Sequence, residues 1–558
     1  MPRVDYARYY LYDELVETLH AFAEEYPQLA RLSSIGKSYE GRDLWLMTIT
    51  NSAAGAADEK PAYWLDGNIH ATEVTGSMAA LHVIDRLLTG YGTDEQVTHL
   101  LDRFAFYILP RFNPDGAERA LTRPQYLRSS VRPYPYADER DGLYPEDIDG
   151  DGRILQMRIQ DPNGPWKISD KDPRLMVRRR PDEFGGTYYR IYTEGLIRNF
   201  DGVNVKIAPP FMGLDINRNF PFEWEPEAQQ KGAGPYPTSE PEVRAVVQFI
   251  TEHPNIFGAV TYHTYSGAIL RPYGTVSDDV FDVHDLRVFK LIGQRGTELT
   301  GYPCVSVYHG FRYHPKQTIK GVFDDWAYDQ LGIFAYTVEL WDMIGEAGIK
   351  EREFIEWFKD HPEEDDLKLL RWNDEHLNGE GFVNWRPFDH PQLGKVEIGG
   401  WYTMYTFRNP PHTFLEETCR KNTEFILAHA ATGPRLALRE FWARHLGEDL
   451  FYVRAVLVNE GFLPTYGSNK AKERQAVRPI EVTLTLPDGA ELELGERQQE
   501  VGQLEGRSNK IDLWNVDFPT DNVRMVEWLV RAPKGGRVGI SAIAPRAGTV
   551  RGEVALER

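Results

Sequence analysis

Five short apolar runs constrain the fold more than any other feature: Leu44 to Ile49, Ala62 to Leu65, Phe104 to Leu109, Ile256 to Tyr262 and Ile333 to Leu340. Continuous runs of this length, rich in branched and aromatic side chains, are what strands covered on both faces require. Helical stretches near 77–89 and 240–252 stand between them. A leading helix, capped by Asp13 and ended by Pro27, would set Leu15, Leu19, Phe22 and Tyr26 on one side. Strands alternating with helices predict an α/β sheet with helices on its faces. The stretch from about Arg132 to Lys206, dense in Pro, Gly, Asp and Arg, reads as an insertion, and a second insertion is placed at about 349–401. After the helical pattern of Phe414 to Ala431, short alternating runs follow at Val453 to Val458, Ile480 to Leu486, Leu492 to Leu494, Met525 to Val530 and Val538 to Ile543. Pro487-Asp488-Gly489 between two of them reads as a hairpin turn. Residues 1–435 are therefore expected to form one domain and 436–558 an accessory β-sandwich.

The balance of 84 acidic against 63 basic side chains gives a formal charge of −21, which repels phosphate backbones and argues against a nucleic-acid partner. No apolar run approaches the roughly 18 residues of a membrane span. The opening Met-Pro-Arg-Val-Asp-Tyr lacks the apolar core of a signal, so a cytoplasmic location is expected for the chain as it stands, and a secreted one if a leader has been trimmed. Cys304 and Cys419 are too few for a disulfide framework; reduced thiols are the milder reading, and a single bridge stays open.

The chemistry gathers at strand ends. In Gly67-Asn68-Ile69-His70-Ala71-Thr72-Glu73, His70 and Glu73 follow a strand and precede a helix, at the carboxyl edge where open α/β sheets bind ligands. His263 ends the Ile256 to Tyr262 run in the same manner. Two imidazoles and a carboxylate suit zinc, whose catalytic sites take three protein ligands and keep one position open. Taken singly, a His-x-x-Glu pair is commonplace and His263 reads as a core histidine. Glu339 is harder to dismiss, because it closes a buried run in which a charge has no packing role. A structural reading pairs it with Arg271; a functional one makes it the general base that takes a proton from the attacking water.

These segments, in order across roughly residues 10 to 430, resemble the carboxypeptidase A/B family of zinc peptidases, to whose first motif Ile35-Gly36-Lys37-Ser38-Tyr39-Glu40-Gly41-Arg42 is similar. The resemblance implies a mixed twisted sheet flanked by helices in residues 1–435, zinc held by His70, Glu73 and His263, and Glu339 as general base. It places Arg128, beyond the Asn113-Pro114-Asp115-Gly116 turn, on the scissile carbonyl and its developing oxyanion. In Asp215-Ile216-Asn217-Arg218-Asn219-Phe220 it implies that Asn217 and Arg218 hold the substrate's terminal carboxylate and that Asp215 orients His70. The Gly234 to Pro241 segment looks like the family's structural loop, and Tyr265 like its cleft tyrosine. Tyr313, with Tyr308 as the other candidate, would be the mobile tyrosine. Asp324 falls where the family sets side-chain preference, which implies C-terminal Lys or Arg, while Asp325 beside it reads as structural. Thr72 stands where many pancreatic-type members carry arginine, so contacts upstream of the scissile bond should differ.

The implied activity is zinc-dependent hydrolysis of the C-terminal peptide bond of peptides or proteins. An amidase, deacylase or cell-wall peptide hydrolase on the same metal centre is the rival within hydrolases; a non-catalytic peptide-binding protein is the rival of another class. Separately, Asp147, Asp149 and Asp151, in Asp147-Ile148-Asp149-Gly150-Asp151-Gly152, read as the first half of a calcium loop, although Arg158 at the twelfth position breaks the EF-hand pattern. The other reading of this loop is an acidic turn tied by arginine side chains.

Overall fold

The computed structural model describes residues 4–557 apart from 125, 315, 511–513, 515 and 516. All five apolar runs lie in one eight-stranded sheet, in the order Ala30–Lys37, Asp43–Ile49, Ala105–Leu109, Ala62–Gly67, Ile256–Thr264, Phe334–Leu340, Ala268–Arg271, Cys304–Ser306. The inner strands run parallel and the Ala30, Asp43 and Ala268 strands pair antiparallel, so the sheet is mixed. The strands Ala62–Gly67, Ile256–Thr264 and Phe334–Leu340 are buried at every residue, which is why their sequences run apolar without alternation. Helices Thr75–Gly90, Val283–Thr300 and His412–Ala430 cover one face, and Pro241–Glu252 and Phe323–Leu331 the other. The strands Ala30–Lys37, Ala268–Arg271 and Cys304–Ser306 escape the apolar-run criterion; they are short or partly exposed and lie towards the sheet's edges.

The leading helix spans Tyr12–Glu25, and Asp13 does not cap it. Leu11 holds the capping position instead, its N–H donating to the Glu14 carboxylate at 2.8 Å, so the acidic residue three places on does the work. Tyr26 lies just past the helix end.

Strands Gln156–Gln160, Trp166–Ile168, Met176–Arg178 and Tyr189–Thr193 join Phe382–His390 and Gly394–Trp401 in a single six-stranded sheet. The two insertions meet where Arg158 faces Glu397 and Met157 faces Ile398. From Leu436 on, two four-stranded sheets enclose their own core of Phe451, Val453, Trp528, Val482 and Ile540. The Pro487-Asp488-Gly489 turn does not close a hairpin: Glu481–Thr485 belongs to one sheet and Glu491–Leu494 to the other, so the turn carries the chain across the sandwich. Both cysteines are free. Among the described residues no helix is long and apolar enough to cross a membrane.

Candidate active site

Three parallel neighbours in the sheet deliver the site. Gly67, the last residue of its strand, pairs with Tyr262, and His263 pairs directly with Glu339 on the next strand. The loop that leaves Gly67 therefore emerges beside His263, with Glu339 one strand further along, all at the carboxyl edge. The loop is fixed by close packing: a Cβ on Gly67 would lie 2.6 Å from the Gly76 carbonyl oxygen, so strand and helix touch through their backbones. Asn68 takes a left-handed conformation (φ 63°), with its Nδ2 donating to the His70 carbonyl at 2.7 Å. Asn113 closes the far side, its Nδ2 donating to the carbonyls of Ile69 and Ser129, and so ties the His70 loop to the segment that carries Arg128.

His70 Nδ1 lies 2.9 Å from Glu73 Oε1 and 3.1 Å from His263 Nδ1, and His263 Nδ1 lies 3.1 Å from Glu73 Oε2. A tetrahedral ion held at about 2.0–2.1 Å from each donor sets neighbouring donors roughly 3.3 Å apart, close to this triangle. All three side chains are buried. The other ring nitrogen of His70 faces Asp215 Oδ1 at 3.1 Å, which orients the imidazole with Nδ1 inward. The donor set thus fits zinc in number, type and spacing. Burial raises the Glu73 carboxyl, but His70 and His263 outweigh it and hold the group well below the usual carboxylate range. Burial and the charge of Glu73 push Glu339 well above it, against the pull of Arg128. Two carboxylates are thereby driven apart, one to remain ionised as a ligand and one to exchange a proton. Glu339 Oε2 has no hydrogen-bond partner among the described residues, and Arg271, its suggested salt-bridge partner, is paired with Asp278 instead.

A cavity of about 600 Å³ opens over these groups and takes in Arg128, Asn217, Arg218, Tyr265, Tyr313 and Asp324 along its wall. Arg128 donates from Nε to Asp215 Oδ2 at 3.0 Å and from Nη1 to Glu73 Oε1 at 3.4 Å, beside the metal ligands. Asn217 is held by Asp215, which accepts its N–H at 3.0 Å, and by the Phe323 N–H, which its Oδ1 accepts at 3.0 Å. Asp324 is 3% exposed and its Oδ2 has no partner among the described residues, whereas Asp325 accepts the Gly274 N–H at 2.9 Å. The two adjacent carboxylates are so distinguished: one faces the cavity, the other braces a loop. Tyr313 reaches the cavity and Tyr308 does not line it. Arg408 and Phe358, which no sequence motif marks, also line it; Arg408 lies 5.8 Å from the centre of the Tyr265 ring.

Asp147, Asp149 and Asp151 do gather in one loop. Asp147 accepts the N–H groups of Gly150 and Gly152, while the Arg386 guanidinium pairs with Asp149 at 2.7 Å and Asp151 at 2.5 Å.

Two buried histidines and a carboxylate at the carboxyl edge of a mixed α/β sheet, beside a glutamate whose Oε2 has no partner among the described residues, define a metallohydrolase centre. Residues 15–355 match the family model described as zinc carboxypeptidase, and the chain belongs to that family. Residues 435–555 match a second model, a domain of unknown function (DUF8731). Carboxypeptidase B of Astacus astacus is 26% identical over 347 residues, 61% of this chain and 88% of that protein. Carboxypeptidase A1 of Mus musculus is 24% identical over 348 residues, 61% of this chain and 64% of that protein, so the chain spans less than two thirds of this mammalian relative. The solved carboxypeptidase A of Helicoverpa armigera is 16% identical, covering 76% of this chain and 74% of that one, with a TM-score of 0.45.

Proposed function

We propose that the chain is a zinc-dependent carboxypeptidase that removes the last residue of peptides or proteins, with a preference for C-terminal Lys or Arg. The observation that carries this reading is the juxtaposition, along one cavity, of a zinc ligand set, a glutamate whose Oε2 has no partner among the described residues, and the Asn217 and Arg218 pair. A zinc ion held by His70, Glu73 and His263 supplies Lewis acidity and an acidified water. Glu339, one strand from His263, takes the proton of the attacking water and returns it to the leaving amine. Arg128, fixed by Asp215, faces the carbonyl oxygen as it gains charge. Asn217 and Arg218 receive the terminal carboxylate, which limits cleavage to the last bond.

Asp324 supports the basic preference because it alone of the Asp324 and Asp325 pair lines the cavity, and its buried Oδ2 has no partner among the described residues. Burial pushes its carboxyl up to about 6. The ratio of kcat/KM for C-terminal Lys over Leu should therefore be high above pH 6 and fall as the pH drops through that value, and Asp324→Asn should flatten the profile. A Leu preference at pH 8 in the unsubstituted chain would remove this role. For the Asp147, Asp149 and Asp151 loop, the reading is a brace in place of a calcium site: Arg386, on a strand of the second insertion, supplies the positive charge and ties the two insertions together.

A further inference from the structure

The cleft does not end at the metal ligands. A second cavity of about 740 Å³ adjoins the catalytic one, and the two share Tyr126 and Arg408 in their walls. That volume is within the range of about 300–1,000 Å³ usual for ligand sites. Its walls are the end of helix Pro114–Thr122, the first insertion around Arg153, and the 401–408 segment, all outside the main sheet. Thr72, between the two ligands His70 and Glu73, lines it as well. With the substrate's last residue seated between Asn217, Arg218 and Asp324, the upstream chain must leave by another side of the catalytic cavity. The side shared with the second cavity, at Tyr126 and Arg408, leads it there.

The charge of this second cavity is one-sided. Arg123, Arg153 and Arg408 line it and, among the described residues, no Asp or Glu does, in a chain whose formal charge is −21. Arg408 lies 4.5 Å over the Tyr126 ring and Arg153 lies 4.9 Å over the Tyr402 ring. None of the three guanidinium groups is ion-paired to a carboxylate of the described residues. The nearby carboxylates are engaged elsewhere: Asp151 with Arg386, and Glu194 with the N–H groups of Ile148 and Leu155. Guanidinium groups laid on aromatic faces are held in place and weakly hydrated, which suits them to bind carboxylates in pairs of hydrogen bonds.

We propose that this second cavity binds the substrate residues upstream of the scissile bond and selects acidic side chains there. The inference rests on the carboxypeptidase reading and narrows its substrate class to chains with an acidic segment before the residue released. It also accounts for the neutral Thr72: the positive charge that faces the upstream chain comes from Arg408 and the insertion, not from between the metal ligands.

The test uses the zinc-loaded full chain and three peptides of equal length that end in the same residue, Lys or Leu, whichever is released faster. Their upstream segments are Glu-Glu, Ala-Ala and Lys-Lys, and an N-blocked dipeptide with that last residue serves as the short substrate. The expected order of kcat/KM is Glu above Ala above Lys, with a Glu-to-Ala ratio of about tenfold at low ionic strength that shrinks as salt screens it. The double variant Arg123→Glu, Arg153→Glu should bring that ratio below one, and a ratio does not depend on how much of a variant is folded. Equal rates for the three peptides, or fastest turnover of Lys-Lys, with the dipeptide still hydrolysed, would overturn the inference alone. No turnover of any of the four would instead strike the carboxypeptidase reading, and the inference with it.

Discussion

Glu339 is the residue on which chemistry and packing disagree most. It is the penultimate residue of a strand buried at every residue, its Oε2 has no partner among the described residues, and burial together with Glu73 raises its carboxyl. Such a group is retained for what it does to a ligand or substrate, not for stability. Glu339→Gln should lower kcat by about 10²- to 10⁴-fold with zinc content unchanged, read by steady-state kinetics beside metal analysis. Loss of zinc from that variant would make Glu339 a ligand, and unchanged kcat would revive a non-catalytic role. Asp66 poses a different problem, since it is fully buried in the Ala62–Gly67 strand and, among the described residues, only Trp64 Nε1 at 2.7 Å and Thr261 Oγ1 at 2.6 Å donate to it. Burial raises its carboxyl from 3.8 to about 7. The folded chain thus keeps a proton that the unfolded chain gives up, so the stability this group contributes is complete below pH 3.8 and lost as pH rises through about 7. The melting temperature of the Asp66→Asn variant relative to the parent should rise from pH 4 to 8, and a flat difference would contradict the assignment. His70, Glu73, His263 and Glu339 were legible in the sequence because each sits at the end of a readable strand or in a motif of fixed spacing. Arg408 was not, because it sits in no motif and is brought to the cleft only by the fold.

At the scale of elements, strands buried on both faces announce themselves, while pairing between them does not. The hairpin expected at Pro487-Asp488-Gly489 fails because a turn signal says where the chain bends, not which sheet it bends into. The first insertion shows in its Pro, Gly, Asp and Arg content, yet the sheet it shares with the second depends on a register between residues 156–158 and 397–399 that no local pattern carries. The helix Phe323–Leu331 joins these themes to function, with Asp324 in its first turn at the cavity and its last carbonyls gripped from the sandwich side. Arg546 Nη2 donates to Leu331 O at 2.5 Å, its Nη1 to Gly332 O at 3.1 Å, and Ser468 Oγ donates to Gly332 O at 2.7 Å. A cation and donors there satisfy carbonyls that the helix end leaves unpaired. Arg546→Met should destabilise the chain to urea by on the order of 3 kcal/mol, since buried acceptors lose their donor. It should also narrow the Lys-over-Leu ratio by loosening the helix that aims Asp324. A destabilised variant with unaltered selectivity would confine Arg546 to holding the sandwich in place.

The whole molecule is then a sheet that offers three strand ends to one ion, a pair of insertions that deepens the cleft, and a sandwich that holds a wall of it from behind. Nothing in the composition of residues 436–558 pointed to that last contact, because it is made by a buried arginine and backbone groups that look ordinary in sequence. Zinc removal should lower the melting temperature of the catalytic part, because an ion at a thousandfold excess over its Kd contributes about 4 kcal/mol to the state that binds it. Metal content paired with product analysis tests the metal centre and the reaction together: the purified chain, one zinc per molecule, incubated with a peptide tagged at its N-terminus. The expected outcome is release of the single C-terminal residue, loss of that release on chelation, and its return with added zinc. A chain loaded with zinc through intact His70, Glu73 and His263 that leaves the C-terminus untouched, or cuts inside the peptide, would contradict it.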